Sequence, residues 1–147
     1  MGTIIVIKGA DFSKSALKKV ELKPMWDNYY PTYSIGAIES YNKDFPSSND
    51  GQDVDSLFRI RTDFLQGQGF RYKINIGGDY VLRNIICYND NQTGVVAVAN
   101  EIQNASLKSY IFSPSYPYFR FVVNKKDGSE VELLDSEYFD VQRITLV

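Results

Sequence analysis

YFRFVVNKKDGS, residues 118–129, is the stretch whose reading decides the fold. Phe119, Phe121 and Val123 alternate with Tyr118, Arg120 and Asn124, the period-two pattern of a strand that buries one face. Lys125 and Lys126 then lead into Asp127-Gly128, a turn signature that predicts a hairpin returning through residues 131–134.

Most of the chain upstream reads as strands able to pack against this one. In FRIRTDF, residues 58–64, Phe58, Ile60, Thr62 and Phe64 share one face and Arg59, Arg61 and Asp63 the other. FRYKINI, residues 70–76, sets Phe70, Tyr72, Ile74 and Ile76 against Arg71, Lys73 and Asn75. Gly77-Gly78-Asp79 is a turn, residues 80–88 form a longer and more buried strand, and NDNQTG, residues 89–94, turns again. Further strands are expected over 95–99, 107–112 and 138–147, with others over 3–8 and 16–22 near the start. Turn signals at short intervals, without long helical windows, indicate an all-β antiparallel sandwich rather than βαβ units. A one-residue slip in these strands would drive arginines into the core, so their register is strongly specified.

Residues 23–52 are the least regular part. Trp26, Tyr29, Tyr30, Tyr33 and Tyr41 lie among prolines 24, 31 and 46, too many prolines for a long helix and too many aromatics for a free linker. Such a segment covers one end of its own domain or packs on a sister subunit or host protein. The division expected is therefore an N-terminal strand and aromatic-rich attachment arm over 1–52, followed by a β-sandwich over 53–147. Trp26, Tyr29, Tyr30 and Tyr33 are the candidate docking residues.

The chain has 147 residues, 44% of them hydrophobic and 23% charged, a size and balance suited to one domain with a real core. A net charge of −2 gives no global drive toward nucleic acid or anionic membrane. No apolar run approaches the ~20 residues of a membrane span. The opening apolar burst is broken at Lys8 and lacks a basic lead, which argues against a secretory signal. Met1-Gly2 is followed by Val6 where myristoylation needs Ser or Thr.

There is no histidine, so neither a Ser-His-Asp nor a Cys-His constellation can form, and the single Cys87 sits in the apolar run VLRNIICY as a small hydrophobe. Asn89-Asp90-Asn91 lacks the glycine and terminal glutamate of a calcium loop. Glu130, Glu132, Asp135, Glu137 and Asp140 have the spacing of a solvated hairpin rather than of an acid/base pair. No catalytic residue, metal or cofactor is assigned. Arg59, Arg61, Arg71, Lys73, Arg120 and Asn124 all fall on the polar faces of their strands. In one sheet they would form a basic stripe for carboxylate, sulfate or sugar hydroxyls; otherwise they pair with carboxylates such as Asp63 and Asp79. Tyrosines 80, 88, 116 and 118, if exposed, offer apolar ring faces to sugars or to a protein partner.

RIRTDF, then GF-x-Y-x-I-x-I-GG-x-Y, then CYNDNQTG, then YFRFVVNKKDGSE occur in this order between residues 59 and 135. That series resembles a jelly-roll module, similar to galactose-binding-like and carbohydrate-binding domains, that recurs in phage tail and fibre proteins and in surface proteins of gut bacteria. The opening IIVIKGADFSKSAL resembles the lead-in of such proteins from Bacteroides-type phages. The resemblance implies a jelly-roll-like sandwich, a virion or bacterial-surface setting, and possible glycan contact through Arg61, Arg120, Tyr118, Tyr80 and Tyr88. A small chain without a signal peptide fits a virion part made in the host cytoplasm: a head fibre, decoration or tail-accessory protein. The expected partners are other virion proteins and copies of itself, with a trimer plausible for a fibre. The alternatives are a glycan-binding surface module and, last, a carboxylate-dependent glycoside hydrolase.

Overall fold

The structure, a computed structural model, describes residues 25–44, 51–92 and 94–147. The strands expected over 3–8 and 16–22 lie outside these residues. The described chain runs through β1 (Asp27–Tyr29), β2 (Tyr33–Ile35), β3 (Ala37–Ile38), β4 (Asp53–Val54), β5 (Ile60–Thr62), β6 (Leu65–Gln66), β7 (Phe70–Ile76) and β8 (Tyr80–Tyr88). It continues through β9 (Ala99–Ile102), β10 (Ser109–Phe112), β11 (Tyr118–Lys125), a 3-10 helix (Leu133–Tyr138) and β12 (Phe139–Thr145). A four-stranded sheet has the order β1-β12-β7-β10 and a six-stranded sheet the order β2-β5-β11-β8-β9, with β6 also pairing β11. The fold is thus an all-β antiparallel sandwich. Its ladders nest: β1 pairs β12, β5 pairs β11, β7 pairs β10 and β8 pairs β9. This is the arrangement of a jelly roll, a long folded-over ribbon wound into two sheets.

The core between the sheets is the alternation read from the sequence. Phe119, Phe121 and Val123 of β11 meet Tyr72, Ile74 and Ile76 of β7 in one cluster. Tyr72 and Phe119 lie edge to face at 4.8 Å and Phe112 and Phe119 at 5.2 Å, geometry that adds to the burial of the rings themselves. Each such side chain stabilises the sandwich by about 2–3 kcal/mol through burial.

A second cluster lies on the outer face of the six-stranded sheet. Ile86, Tyr88 and Val122 point outward there but are covered by Ile38 and Ala97, with Tyr41, Phe64, Val95 and Tyr118 around them. The cover includes the small β3-β4 sheet. Strands β8 and β11 are therefore buried on both faces over part of their length, and Arg120 is only 6% exposed rather than on a wetted face.

Several elements differ from the sequence reading. Residues 131–134 do not return as a hairpin strand, because β11 already has β8 on one edge and β5 and β6 on the other. Asp127 instead closes a local turn, its Oδ1 accepting from Ser129 N at 3.0 Å and Ser129 Oγ at 2.6 Å. The following 3-10 helix is pinned to β8: Tyr80 Oη donates to Asp135 at 2.6 Å and accepts from Glu132 N at 3.2 Å. The strand expected over 95–99 begins only at Ala99, because Val95 and Ala97 turn onto the outer cluster. Leu107 bridges Leu82 in one sheet while Ser109–Phe112 pairs β7 in the other, so the strand expected over 107–112 is split by a crossing between sheets. The 58–64 strand shortens to Ile60–Thr62, and Thr62 Oγ1 accepts the amide of Phe121 beyond it.

Residues 25–44 are stitched into the sandwich. β1 extends the four-stranded sheet and β2 the six-stranded one, so the chain crosses from one sheet to the other between Tyr29 and Tyr33. Residue 52 thus does not mark a break in the sheets.

Candidate binding surface on the outer face of the six-stranded sheet

Arg61 on β5 and Arg120 on β11 converge on one carboxylate. Asp53, at the start of β4, receives Arg120 Nη1 at 2.6 Å and Arg61 Nη2 at 3.3 Å. Arg120 Nε donates to Thr62 O at 3.0 Å and Arg61 Nη1 to Ile35 O at 3.4 Å. The Arg120 guanidinium lies 4.8 Å from the Phe64 ring centre, and Phe64 meets Tyr88 edge to face at 5.0 Å. Gly36 makes room: a Cβ there would fall 1.7 Å from Arg61 Nη1. The expected carboxylate pairing exists, but with Asp53; Asp63 instead accepts the amide of Phe64. The arrangement clamps β4 over the sheet and occupies donors that a ligand would need.

Of the five candidate glycan residues, Arg61, Arg120, Tyr88 and Tyr118 share this face, Tyr118 opposite Tyr88 in register, whereas Tyr80 points into the core between the sheets. Tyr80 and Tyr88 are buried, so neither offers a ring face to a sugar, a correction to their expected exposure. Burial pushes the Tyr88 hydroxyl well above its ordinary range, with the neighbouring Arg120 pulling the other way. Burial and the Asp135 contact raise Tyr80 to about 12. Tyr116 and Tyr118 are half-buried. The basic stripe is divided: Arg71 and Lys73 lie on β7 in the four-stranded sheet, apart from Arg61, Arg120 and Asn124.

The four docking candidates separate as well. Tyr33 packs edge to face on Phe121 and Phe139, and Tyr29 on Tyr72. Trp26 lies under Lys73 Nζ at 4.5 Å. Tyr30 alone is largely exposed, at 84%, and lines a shallow cavity with Pro31, Leu133 and the 84%-exposed Leu134.

Beside the Asp53 clamp runs a polar trough. Cavities of about 800 and 700 Å³ adjoin along it and share Ala37, Arg59 and Arg83 as lining. Arg83 is placed by a β-bulge: Val122 pairs Asn84 but Val123 pairs Leu82, leaving Arg83 as the extra residue. Bulges re-aim side chains in this way. Hydrogen bonds hold the walls. Tyr41 and Asn100 exchange two, at 3.0 and 2.9 Å, Gln103 Nε2 donates to Ser40 Oγ, and Asn84 Oδ1 accepts Asn104 N at 2.8 Å. Arg83 Nη2 reaches Asn104 Oδ1 at 3.2 Å and Arg59 Nη1 its neighbour's carbonyl, Phe58 O, at 3.0 Å. Among the described residues neither guanidinium has a carboxylate partner. Desolvation first, and the charge of Arg83 second, lower the pKa of Arg59. Sequence reasoning named Arg59 and Asn124 but missed Arg83 and Asn84. The available signal was the Arg-Asn pair interrupting VLRNIICY, which a buried strand tolerates where it bulges.

Among the described residues no three His, Cys, Asp or Glu side chains converge as a metal set, and no helix is long and apolar enough to cross a membrane. Comparisons of the chain with protein families, curated proteins and solved structures find no match.

Proposed function

We propose that this chain is a non-enzymatic phage virion component, a head fibre, decoration or tail-accessory protein, that docks on the particle and displays its sandwich outward. The observation that carries the reading is the nesting of four antiparallel ladders, β1:β12, β5:β11, β7:β10 and β8:β9. Viral capsid and lectin domains use that architecture. Because a fold hosts many functions, the site must supply the rest. Tyr30, Pro31, Leu133 and Leu134 form a small apolar surface where the segment before β2 meets the 3-10 helix. Exposed large apolar side chains grouped in this way suit a protein interface. In this reading Tyr30 is the docking contact, and Trp26, Tyr29 and Tyr33 brace it. Symmetric self-association is the default for such a part.

Mass spectrometry of purified particles of the phage whose genome carries the coding sequence tests this. The protein is expected at a fixed copy number per particle. Tyr30→Ala with Leu134→Ser should leave the fold intact and deplete the protein from particles. Its absence from particles, with full recovery in the soluble fraction, would overturn the reading.

A further inference from the structure

We propose that the trough centred on Arg59 and Arg83 binds a saccharide bearing a carboxylate, the two guanidiniums holding the anionic group and the walls the neighbouring hydroxyls. The proposal does not depend on a virion setting. Both arginines line both cavities, so they stand where the two meet, midway along the trough. Guanidiniums match carboxylates by forked hydrogen bonding, and here neither is neutralised by a carboxylate among the described residues. This contrasts with Arg61 and Arg120 on the same face, both of which already engage the Asp53 carboxylate.

The flanks identify the class of ligand. Glu39 and Asp44 line the first cavity and Asp55 and Asp127 the second. Carboxylates on both sides repel a polyanion such as a nucleic acid or a heavily sulfated chain, yet accept hydrogen bonds from neutral sugar hydroxyls. Asn124 also lines the second cavity, adding a polar side chain to its wall. The wall bonds of Asn100 to Tyr41 and Gln103 to Ser40 fix the first cavity before a ligand arrives, so little ordering accompanies binding.

The test is an NMR titration of the full chain with a trisaccharide carrying one glucuronate. The neutral glucose trisaccharide and a heparin-type oligosaccharide serve as comparisons. Shifts should cluster at Arg59, Arg83, Asn84 and Asn124 with the glucuronate probe, with at least tenfold weaker binding of the neutral and the polysulfated probes. Arg59→Gln and Arg83→Gln should each weaken the glucuronate probe about tenfold, while Arg83→Lys, which keeps the charge but loses the fork, falls between. Equal binding of the neutral probe, tighter binding of the heparin-type probe, undiminished binding by both Gln variants, or no shifts at these residues at millimolar probe would each overturn the proposal.

Discussion

Asp53→Ala is the perturbation whose outcome follows most closely from the clamp. Arg120 is the interior partner, with its side chain 7% exposed, whereas Asp53 is 47% exposed. At 2.6 Å and an effective dielectric near 20, the gross attraction is about 6 kcal/mol, most of which desolvation of the guanidinium cancels. Removing one member of a fully buried pair costs about 3–5 kcal/mol because it strands the other charge. Water at the half-exposed Asp53 position re-solvates part of that charge, and the bond from Arg120 Nε to Thr62 O survives. The expected loss is therefore about 2 kcal/mol, with a further few tenths from the Arg61 arm. In a domain of this size that is roughly 4–8 °C in Tm. Urea unfolding followed by tryptophan fluorescence and circular dichroism measures it. The double variant Asp53→Ala with Arg120→Met is the decisive arm: with no charge left to strand, it should be more stable than Asp53→Ala alone. A single variant within about 0.5 kcal/mol of the parent, a size typical of surface changes, would refute the reasoning. So would losses that simply add in the double variant.

Three further outcomes are expected. Gly36→Ala should cost about 1–3 kcal/mol, since φ is +145° and the new methyl meets Arg61 Nη1; adding Arg61→Ala should restore part of the loss in the same urea assay, and no restoration would contradict the close approach. Tyr33→Phe should be neutral or stabilising by up to ~1 kcal/mol, because its buried hydroxyl has no partner among the described residues; a clear loss in thermal melts would contradict that. The third concerns pH. Tyr80 and Tyr110 are raised to about 12, each chiefly by burial and then by a carboxylate, and Tyr33, Tyr72 and Tyr88 are also raised by burial. A raised folded-state value stabilises the neutral form. That stability is intact below the unfolded value near pH 10 and is lost as pH climbs through about 12. Tyrosinate absorbance should lag below free tyrosine and then rise together with unfolding; a titration with all tyrosines ionising near pH 10 in the folded protein would contradict it.

Strands β7, β8 and β11 were legible because their alternation is set by a buried face, and that signal is local. Membership of a sheet was not, since Arg71 and Arg61 have the same pattern in sequence but lie in different sheets. Asp127-Gly128 does form a turn, but the hairpin it signals needs an open edge on β11, and strands distant in sequence already fill both edges. The aromatics before residue 52 were read either as a cover for one end of the domain or as a grip on a partner. Their spacing carries no sign of direction, and Tyr29 and Tyr33 turned inward because β1 and β2 pair into the sheets. Arg61 and Arg120, both named from the sequence, meet at one carboxylate, but the residue joining them lies in an irregular segment with no periodicity to mark it. The trough depends on a bulge at Arg83, a feature of pairing between strands that one strand's sequence does not reveal.

The functional reading rests on the nested ladders, and backbone NOEs in a protein of this size test them directly. Cross-strand NOEs should link Asn28 with Gln142 and Ile60 with Val123. NOEs running instead from β11 to residues 131–134, as in the hairpin that the Asp-Gly turn suggests, with none between β1 and β12, would contradict the account.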